Sequence, residues 1–405
     1  METRQCDILI VGGGPAGLSV ASSLPDDVAT IIVHQDREIG LPVRTSGGAW
    51  RDELERLGIP EDMYVPIAQT DAFSDDVAVR INMGPHVPAV LDITKLYKWL
   101  ASQSDHKARQ LWLGCKFTDC KQEADGRYLS RIRDRDGQER LVRSRFIVDA
   151  SGWHSAVLVA LGLRDKPERL GIGIEYEYPL GNNRPDRAIL FVGDQVPSGY
   201  GWGFPTPEGT FRFGVGIISP DTDQSPRVLI DQLIANGAEQ RFGIDLSGEH
   251  STNGGILPSV AYEPKLVFGN VIRVGDSANF ATPTIGEGIR TCIEFGRDLG
   301  ESLGRSAKSG WRWPLWRYQW RCNRRLRLNY ALGFVINQRI ASFTPEQWNA
   351  SIARIGRIDP NAVRAILCSQ FSLRKTIRMA LPIIRNRARS RLRRLGARAG
   401  LRRQG

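Results

Sequence analysis

An α/β fold is predicted for this chain, with a doubly wound parallel sheet, a β-rich second domain and a helical C-terminal extension. Three observations support this prediction. A short apolar segment at residues 7–11 runs into a glycine-rich turn and then a helix. Residues 170–218 alternate as strands do, with turn signals rich in Gly, Asn and Pro. Residues 313–371 have helical spacing. The 405 residues can hold two or three domains.

The first segment carries the most specific motif. Its apolar run is typical of a strand that is buried on both faces. Gly12, Gly14 and Gly17 then fit G-x-G-x-x-G, while Pro15 and Ala16 open a helix. These glycines allow a tight turn, a close approach of the backbone to a pyrophosphate, and close packing of helix on strand. The order of strand, motif and helix predicts a Rossmann-like dinucleotide site with phosphates at the helix N-terminus.

The second strand is predicted over residues 28–33. In dinucleotide-binding units an acidic residue at the end of this strand usually binds the ribose hydroxyls. In this chain His34 occupies that position and Asp36 follows two residues later. Either side chain could bond a ribose, and a solvated loop is an equally good interpretation.

The remaining segments suggest the domain boundaries. Strands are expected over 110–123, 128–135 and 140–148, with hairpin turns at Asp125-Gly126 and Asp136-Gly137. A buried strand is expected to end at Asp276, before a helix over about 286–303. The expected units are a dinucleotide-binding domain (1–169 plus 265–305, with inserted β segments at about 64–92), a substrate domain (170–264), a helical region (306–372) and a basic tail (373–405).

The positive charge is concentrated in the tail. Residues 374–403 contain twelve Lys and Arg and no acid, which accounts for the whole net charge of +11. Leucines and isoleucines are interspersed, and a basic amphipathic segment is attracted to anionic lipid. The tail therefore predicts peripheral membrane contact, with a solvated, disordered tail as the alternative.

The cysteines and the N-terminus bear on localisation. Six scattered cysteines without a C-x-x-C pair suit a reducing compartment and argue against disulfides or structural zinc. No apolar run approaches the ~20 residues that span a bilayer. The first strand leaves no room for a signal peptide. A cytoplasmic protein is expected, and the tail leaves open a peripheral position at the inner membrane surface.

A group of tryptophans lies just before the tail region. Trp313, Trp316 and Trp320 fall at i, i+3 and i+7, on one face of a helix, among several arginines. Such a face could meet a membrane, bind nucleic acid or pack on the rest of the protein. Packing is the favoured interpretation.

Five stretches together carry a family resemblance. They are GGGPAG at 12–17, GLPVRTSGG at 40–48, VDASGWHS at 148–155, YGWGFP at 200–205 and GDSANFATPTIGEGI at 275–289. In order and spacing they resemble the geranylgeranyl reductases, within the larger class of aromatic hydroxylases and flavin halogenases. The resemblance covers about residues 1–305, and YGWGFP is its most discriminating part.

The resemblance implies FAD as cofactor. The cofactor contacts that it implies are Gly12, Gly14, Pro15, Ala16, Gly17, His34, Arg44, Thr45, Cys115, Asp276, Gly286, Gly288 and Ile289. Asp276 would accept a hydrogen bond from a ribityl hydroxyl, with a helix cap as the rival role. The helix that starts near Gly286 would face the flavin pyrimidine. Thr45, His34 and Ile93 stand where the family usually has Cys, Glu and Arg.

The YGWGFP stretch bears on the substrate. Tyr200, Trp202 and Phe204 alternate, so that on a strand they share one face. On pattern alone a core stripe is favoured. The resemblance instead implies the wall of an apolar substrate cavity that suits an isoprenoid chain.

The expected activity follows from the resemblance. It is FAD-dependent reduction of carbon–carbon double bonds in a prenyl or other apolar substrate, with electrons from NAD(P)H or a reduced carrier protein. A flavin-dependent monooxygenase or halogenase is the alternative on the same fold. No side chain is singled out as catalytic. The glycine-rich motifs argue against the further alternative, a nucleic-acid-binding protein that uses the basic tail.

Overall fold

The computed structural model describes residues 3–371, so the basic tail and its predicted membrane contact lie outside the described residues. The strands are β1 Thr3–Val11, β2 Thr30–His34, β3 Gly48–Trp50, β4 Tyr64–Pro66, β5 Gln69–Phe73, β6 Ala78–Ile81, β7 Pro88–Leu91, β8 Arg109–Leu113, β9 Lys116–Gln122, β10 Tyr128–Arg133, β11 Glu139–Asp149, β12 Leu170–Pro179, β13 Arg187–Phe191, β14 Gly199–Pro205, β15 Thr210–Ser219, β16 Ser251–Pro258, β17 Val267–Phe268 and β18 Val271–Arg273. The helices are α1 Pro15–Ser22, α2 Arg51–Arg56, α3 Ile93–Ser102, α4 Ala156–Ala160, α5 Pro226–Ala235, α6 Ala238–Phe242, α7 Ile289–Ser309, α8 Trp313–Ile340, α9 Pro345–Ile355 and α10 Pro360–Leu367.

The first sheet has eight strands. Its main path runs β17-β18-β11-β1-β2-β8, and β10 and β9 extend it from β11. The pairs β18–β11, β11–β1, β1–β2 and β2–β8 are all parallel. The doubly wound α/β prediction is confirmed. The carboxyl ends of these strands meet at one edge, where ligands bind in such sheets.

Both faces of this sheet are covered, as the apolar β1 segment predicts. Ile8 and Ile10 pack with α1, α7 and α8 on one side. Leu9 and Val11 pack with α4 and the inner face of β9–β11 on the other. Because successive strand residues point to opposite faces, a continuous apolar run is needed to fill both cores.

The second sheet has seven strands, in the order β16-β12-β15-β14-β13-β5-β6. All its pairs are antiparallel except the parallel pair of β13 and β5. Helices α5 and α6 cover one face of this sheet, where aromatic and aliphatic side chains form a core. A separate three-stranded sheet has the strand order β3-β7-β4.

The structure differs from the prediction in two segments. The single strand expected over 110–123 is two strands, because Gly114 has a φ of +64° and turns the chain between β8 and β9. The first of these joins the parallel sheet beside β2, and the second pairs antiparallel with β10. Strand β16 lies in a glycine-containing stretch that carries no clear alternation, and it was not predicted.

The prediction that the tryptophans pack inward is wrong. Trp313, Trp316 and Trp320 are 64%, 51% and 58% exposed. A different stripe of α8, which includes Leu315, Tyr318 and Cys322, fills the core against the parallel sheet. No helix within residues 3–371 has the length and apolar character needed to cross a membrane.

Candidate active site

One large cavity connects the two sheets. It has a volume of about 1160 Å³. Its lining begins at the carboxyl ends of β1, β2 and β11, and continues along β14 to the C-terminal helices α8, α9 and α10. Small-molecule sites usually measure ~300–1,000 Å³, so this cavity has room for more than one ligand.

The glycine-rich turn forms one end of the cavity. Gly12 has a φ of +118°, and a Cβ there would lie 2.0 Å from the carbonyl oxygen of Ala150. A Cβ on Gly17 would lie 2.0 Å from the carbonyl oxygen of Gly12, so this glycine packs α1 onto the turn and does not line the cavity. Apart from its neighbours in the chain, no atom of residues 3–371 would lie within 4 Å of a Cβ on Gly14. The space beside Gly14 is therefore cavity, bordered also by Pro15 and Ala16.

Two helices begin at this cavity. Gly14 is the N-cap of α1 and Gly288 is the N-cap of α7, and a glycine has no side chain with which to cap its helix. At α7 the backbone N–H of Arg290 donates to Oε1 of Glu287 at 3.3 Å. The first N–H groups of a helix lack intrahelical partners and carry a partial positive charge. Gly286, Gly288 and Ile289 all line the cavity at the start of α7. The arrangement provides two places for the negative groups of a dinucleotide cofactor.

His34 contacts the glycine-rich turn. The backbone N–H of Gly13 donates to Nδ1 of His34 at 3.2 Å, which leaves the ring proton on Nε2, 3.4 Å from Asp36. Burial lowers the pKa of His34, with Asp36 opposing and Arg44 adding to the effect. A neutral imidazole thus accepts a hydrogen bond from the turn and stabilises it.

Asp36 is held beside His34 by Arg44, which donates to both of its carboxylate oxygens at 2.5 and 2.9 Å. Burial by itself opposes ionisation, but the hydrogen bonds and charge of Arg44 outweigh it and lower the pKa of Asp36. An ionised carboxylate thus lies two residues after the end of the second strand, in the lining of the cavity. Thr45 lines the cavity next to Arg44. Cys115 also lines it, and its N–H donates to the carbonyl of His34.

Asp149, in the VDASG stretch, serves the fold. It is fully buried, and its carboxylate accepts hydrogen bonds from the hydroxyl of Ser151 and from the backbone N–H groups of Val157 and Leu158. These bonds fix the crossing from β11 to α4. Ala150, Ser151 and Gly152 are thereby placed in the cavity lining.

Asp276 is different, because its carboxylate lies in the cavity without a hydrogen-bond donor among residues 3–371. Burial raises its pKa to about 6. It sits in a short helical turn after β18, and Gly288 lies close to its Oδ1. Since the carboxylate caps no helix, an outside hydroxyl donor is the partner that would satisfy it.

The aromatic residues of β14 line the same cavity. The hydroxyl of Tyr200 donates to the carbonyl of Ile285 at 2.7 Å, which connects this wall to the loop before α7. The indole N–H of Trp202 donates to Glu175 at 2.9 Å. Phe204 borders the glycines at 47–48, with its ring 3.4 Å from the position of a Cβ on Gly48. Tyr200, Trp202 and Phe204 are thus brought together on one face, as their alternation predicts.

A buried ion cluster lies behind Trp202. The second oxygen of Glu175 lies 3.7 Å from Nε of Arg212, whose guanidinium is buried and also contacts Glu177 at 3.2 Å. Burial raises the pKa of Glu175. Burial opposes ionisation of Glu177 as well, but Arg212 outweighs it there and lowers the pKa. The carboxylate that accepts from Trp202 thus lies within ion-pair distance of Arg212, and its Oε1 has no hydrogen-bond partner among residues 3–371.

The C-terminal helices complete the cavity. This role was not predicted from the sequence. Ile336 and Ile340 on α8 line it, as do Trp348, Ile352 and Ile355 on α9. The α9 residues fall at i, i+4 and i+7, the spacing of one helix face, and this was the available signal. Their side chains make the end of the cavity remote from the glycine-rich turn apolar.

A cavity built in this way at the carboxyl ends of a parallel sheet defines a dinucleotide-binding enzyme. Residues 5–329 match the family described as the FAD binding domain, and the chain belongs to that family. The protein is an FAD-dependent oxidoreductase. The cavity fits this cofactor, since Asp276 lacks a donor and the space beside Gly14 is free.

Similar proteins agree with the resemblance read from the motifs. Digeranylgeranylglycerophospholipid reductase 3 of Methanosphaera stadtmanae is 25% identical over 321 residues, covering 76% of this chain and 80% of that protein. A geranylgeranyl bacteriochlorophyll reductase-like protein of Thermoplasma acidophilum has a TM-score of 0.77 at 20% identity, covering 93% and 96% of the two chains. A flavin-dependent brominase shares the fold, with a TM-score of 0.66 at 16% identity over 94% of this chain and all of that one.

The ionisation of Asp276 leads to a prediction of how FAD affinity depends on pH. A ribityl hydroxyl donates best to the ionised carboxylate, and the pKa of Asp276 in the free protein is about 6. We expect FAD affinity to be constant above that pH and to fall as the pH drops through it, by up to tenfold per pH unit. Equilibrium dialysis of FAD between about pH 5 and pH 8 measures this.

Asp276→Asn is the matched control for this pH profile. We expect it to bind FAD about 10- to 100-fold more weakly, the loss of a hydrogen bond to a charged group, with no step near pH 6. The raised pKa means that this carboxyl destabilises the cofactor-free fold fully above about pH 6, and that this penalty decreases as the pH falls from about 6 towards the ordinary pKa of 3.8. Loss of FAD at low pH is therefore not unfolding caused by Asp276. A flat wild-type profile would contradict the assignment.

Proposed function

We propose that the protein is a reductase that saturates carbon–carbon double bonds of a prenyl chain. The observation that carries this proposal is the continuity of the cavity. The cofactor end, where two helices begin, passes directly into an apolar chamber lined by Tyr200, Trp202 and Phe204 and by the C-terminal helices. A long apolar chain would lie there beside the flavin ring. The names of the similar reductases support the same substrate class.

Each end of the cofactor has a proposed partner in the chain. The backbone beside Gly14 and the start of α1 would hold the pyrophosphate, and Asp36 would accept from the ribose hydroxyls. Asp276 would accept from the ribityl chain. The start of α7, at Gly288 and Ile289, would face the pyrimidine side of the ring, with Arg44, Thr45 and Cys115 along the remaining lining.

Each double bond takes up one hydride and one proton, which together are two electrons and two protons. Reduced FAD supplies a hydride when it is bound. The apolar walls exclude water from the reacting carbons, and Tyr200 and Glu175 keep the wall and the loop before α7 in place. Electrons come from an external donor, for which NAD(P)H and a reduced carrier protein are the candidates.

Oxygen chemistry is the second candidate, favoured by the fold shared with the brominase. The product distinguishes the two. Reduced holoenzyme is incubated with a glycerophospholipid that carries geranylgeranyl chains, and the product is examined by mass spectrometry. The proposal predicts a gain of two hydrogens per reduced bond, and no change in the same lipid with saturated chains. Added oxygen or halogen, or an unchanged prenyl lipid, would overturn it.

A further inference from the structure

Helix α8 has two apolar stripes on opposite sides. The stripe that faces the core is Leu315, Tyr318, Cys322, Leu326, Tyr330, Gly333 and Asn337. At 100° per residue the other stripe contains Trp313, Trp316, Trp320, Arg324, Leu328 and Val335, and it faces away from the protein. A helix that only packed on the core would place polar residues there.

The exposed stripe begins with three tryptophans, and a fourth lies two residues before the helix. Trp311 is 72% exposed, and Trp313, Trp316 and Trp320 are all more than half exposed. Four of the ten tryptophans of the chain are thus exposed within ten consecutive residues. Leu328 and Val335 continue the apolar stripe along the helix. Exposed apolar patches of this kind mark interaction sites on soluble proteins.

The charged residues of α8 and of the segments that flank it have one sign. Residues 302–345 contain nine Lys and Arg and no Asp or Glu. The carboxylates of α7 that contact α8 are Glu294 and Asp298, which are engaged by Arg325 and Arg321. Arg312, Arg317, Arg324 and Arg327 form no ion pair with any residue from 3 to 371, and Arg324 lies over the ring of Trp320. We call these four arginines and Trp311, Trp313, Trp316 and Trp320 the Trp–Arg face.

We propose that the Trp–Arg face is the surface by which this protein lies on a bilayer containing anionic phospholipid. Tryptophan prefers the headgroup region, where its ring is half solvated, and arginine places its charge among the phosphates. A helix with one apolar stripe and basic flanks lies in the plane of that interface.

A bilayer is favoured over nucleic acid because α8 also reaches the cavity. Ile336 and Ile340, at its far end, line the apolar chamber, about 30–40 Å along the helix from Trp313. The inference rests on the proposed function in this respect, because a prenyl lipid would be drawn from the same bilayer. It adds a docking surface that the proposed reaction itself does not require.

The test is sedimentation of the full-length holoenzyme with vesicles of phosphatidylcholine alone or mixed with phosphatidylglycerol. The triple variant Trp313→Ala, Trp316→Ala, Trp320→Ala should bind the mixed vesicles at least tenfold more weakly than wild type. Arg312→Glu, Arg317→Glu, Arg324→Glu should lose about 100-fold or more, given ~1 kcal/mol for each basic residue near the surface. The matched control Leu113→Ala, Leu163→Ala, Val228→Ala removes exposed apolar residues elsewhere and should bind as wild type.

Quenching by lipids with brominated acyl chains separates the Trp–Arg face from the basic tail. Wild-type fluorescence should fall on mixed vesicles, and the triple tryptophan variant should show little quenching. Equal vesicle binding by the two proteins, or binding without quenching, would overturn the proposal. So would RNA binding without vesicle binding, or a wild-type dimer that the tryptophan variant converts to monomer. Turnover of detergent-dispersed prenyl lipid should be the same in the triple tryptophan variant as in wild type. If the proposed function is wrong, neither protein will turn over this lipid.

Discussion

Gly14→Val is expected to yield a folded protein that no longer retains FAD. Within the described part of the chain, only the residues adjacent to Gly14 have atoms within 4 Å of a Cβ at this position, so the cofactor-free fold has room for the larger side chain. Holoenzyme does not, because the valine methyl groups would occupy the space through which the pyrophosphate approaches the start of α1. We expect the dissociation constant for FAD to rise by about 100-fold, near the upper end of measured overpacking costs. Flavin absorbance per protein after gel filtration measures it.

Two glycine variants serve as controls for this result. Gly14→Ala adds one methyl group and should show a smaller loss of FAD in the same assay. Gly17→Ala should instead unfold the protein at lower temperature, because its Cβ would lie 2.0 Å from the carbonyl oxygen of Gly12. Full FAD content in folded Gly14→Val protein would show that the pyrophosphate lies elsewhere.

Glu175→Ala should be the most destabilising of the wall substitutions. It leaves the buried indole N–H of Trp202 without an acceptor and removes one carboxylate from the buried Arg212. Removing one partner of a buried ion pair typically costs about 3–5 kcal/mol. Because Glu177 still contacts Arg212, we expect about 3 kcal/mol of lost unfolding free energy, measured by urea denaturation.

Glu175→Gln keeps an acceptor for Trp202 and should lose clearly less stability than the alanine variant. Glu249→Ala, at an exposed position, should leave stability unchanged. FAD affinity should be close to wild type in all three, since Glu175 lies behind Trp202 and away from the glycine-rich turn. An alanine variant as stable as wild type would show that the ion cluster does not support the wall.

Local signals predicted the cofactor half of the molecule. The strand, the three glycines and the helix at residues 7–22 are contiguous, so their geometry follows from the backbone requirements of the turn itself. The sequence also singled out Asp276, since it comes shortly after a buried strand. The position of the Asp36 carboxylate depends on Arg44, eight residues away, so the sequence could not distinguish Asp36 from His34 as the partner of a ribose.

The substrate half depends on contacts that are distant in sequence. Glu177 and Arg212 are opposite each other only because of the register of β12 and β15, which alternation alone does not specify. The prediction that the tryptophans of α8 pack on the rest of the protein was wrong for a related reason. Two stripes of one helix are apolar, and periodicity cannot tell which of them meets the core.

In the proposed function, this cavity brings a prenyl double bond to reduced FAD. The most direct measurement is stopped-flow absorbance of the anaerobically reduced holoenzyme, mixed either with the geranylgeranyl phospholipid or with oxygen alone. The account predicts that the prenyl lipid restores the oxidised flavin spectrum faster than oxygen does, and that the saturated lipid leaves the flavin reduced. A flavin that stays reduced with the prenyl lipid but is rapidly oxidised by oxygen would contradict it.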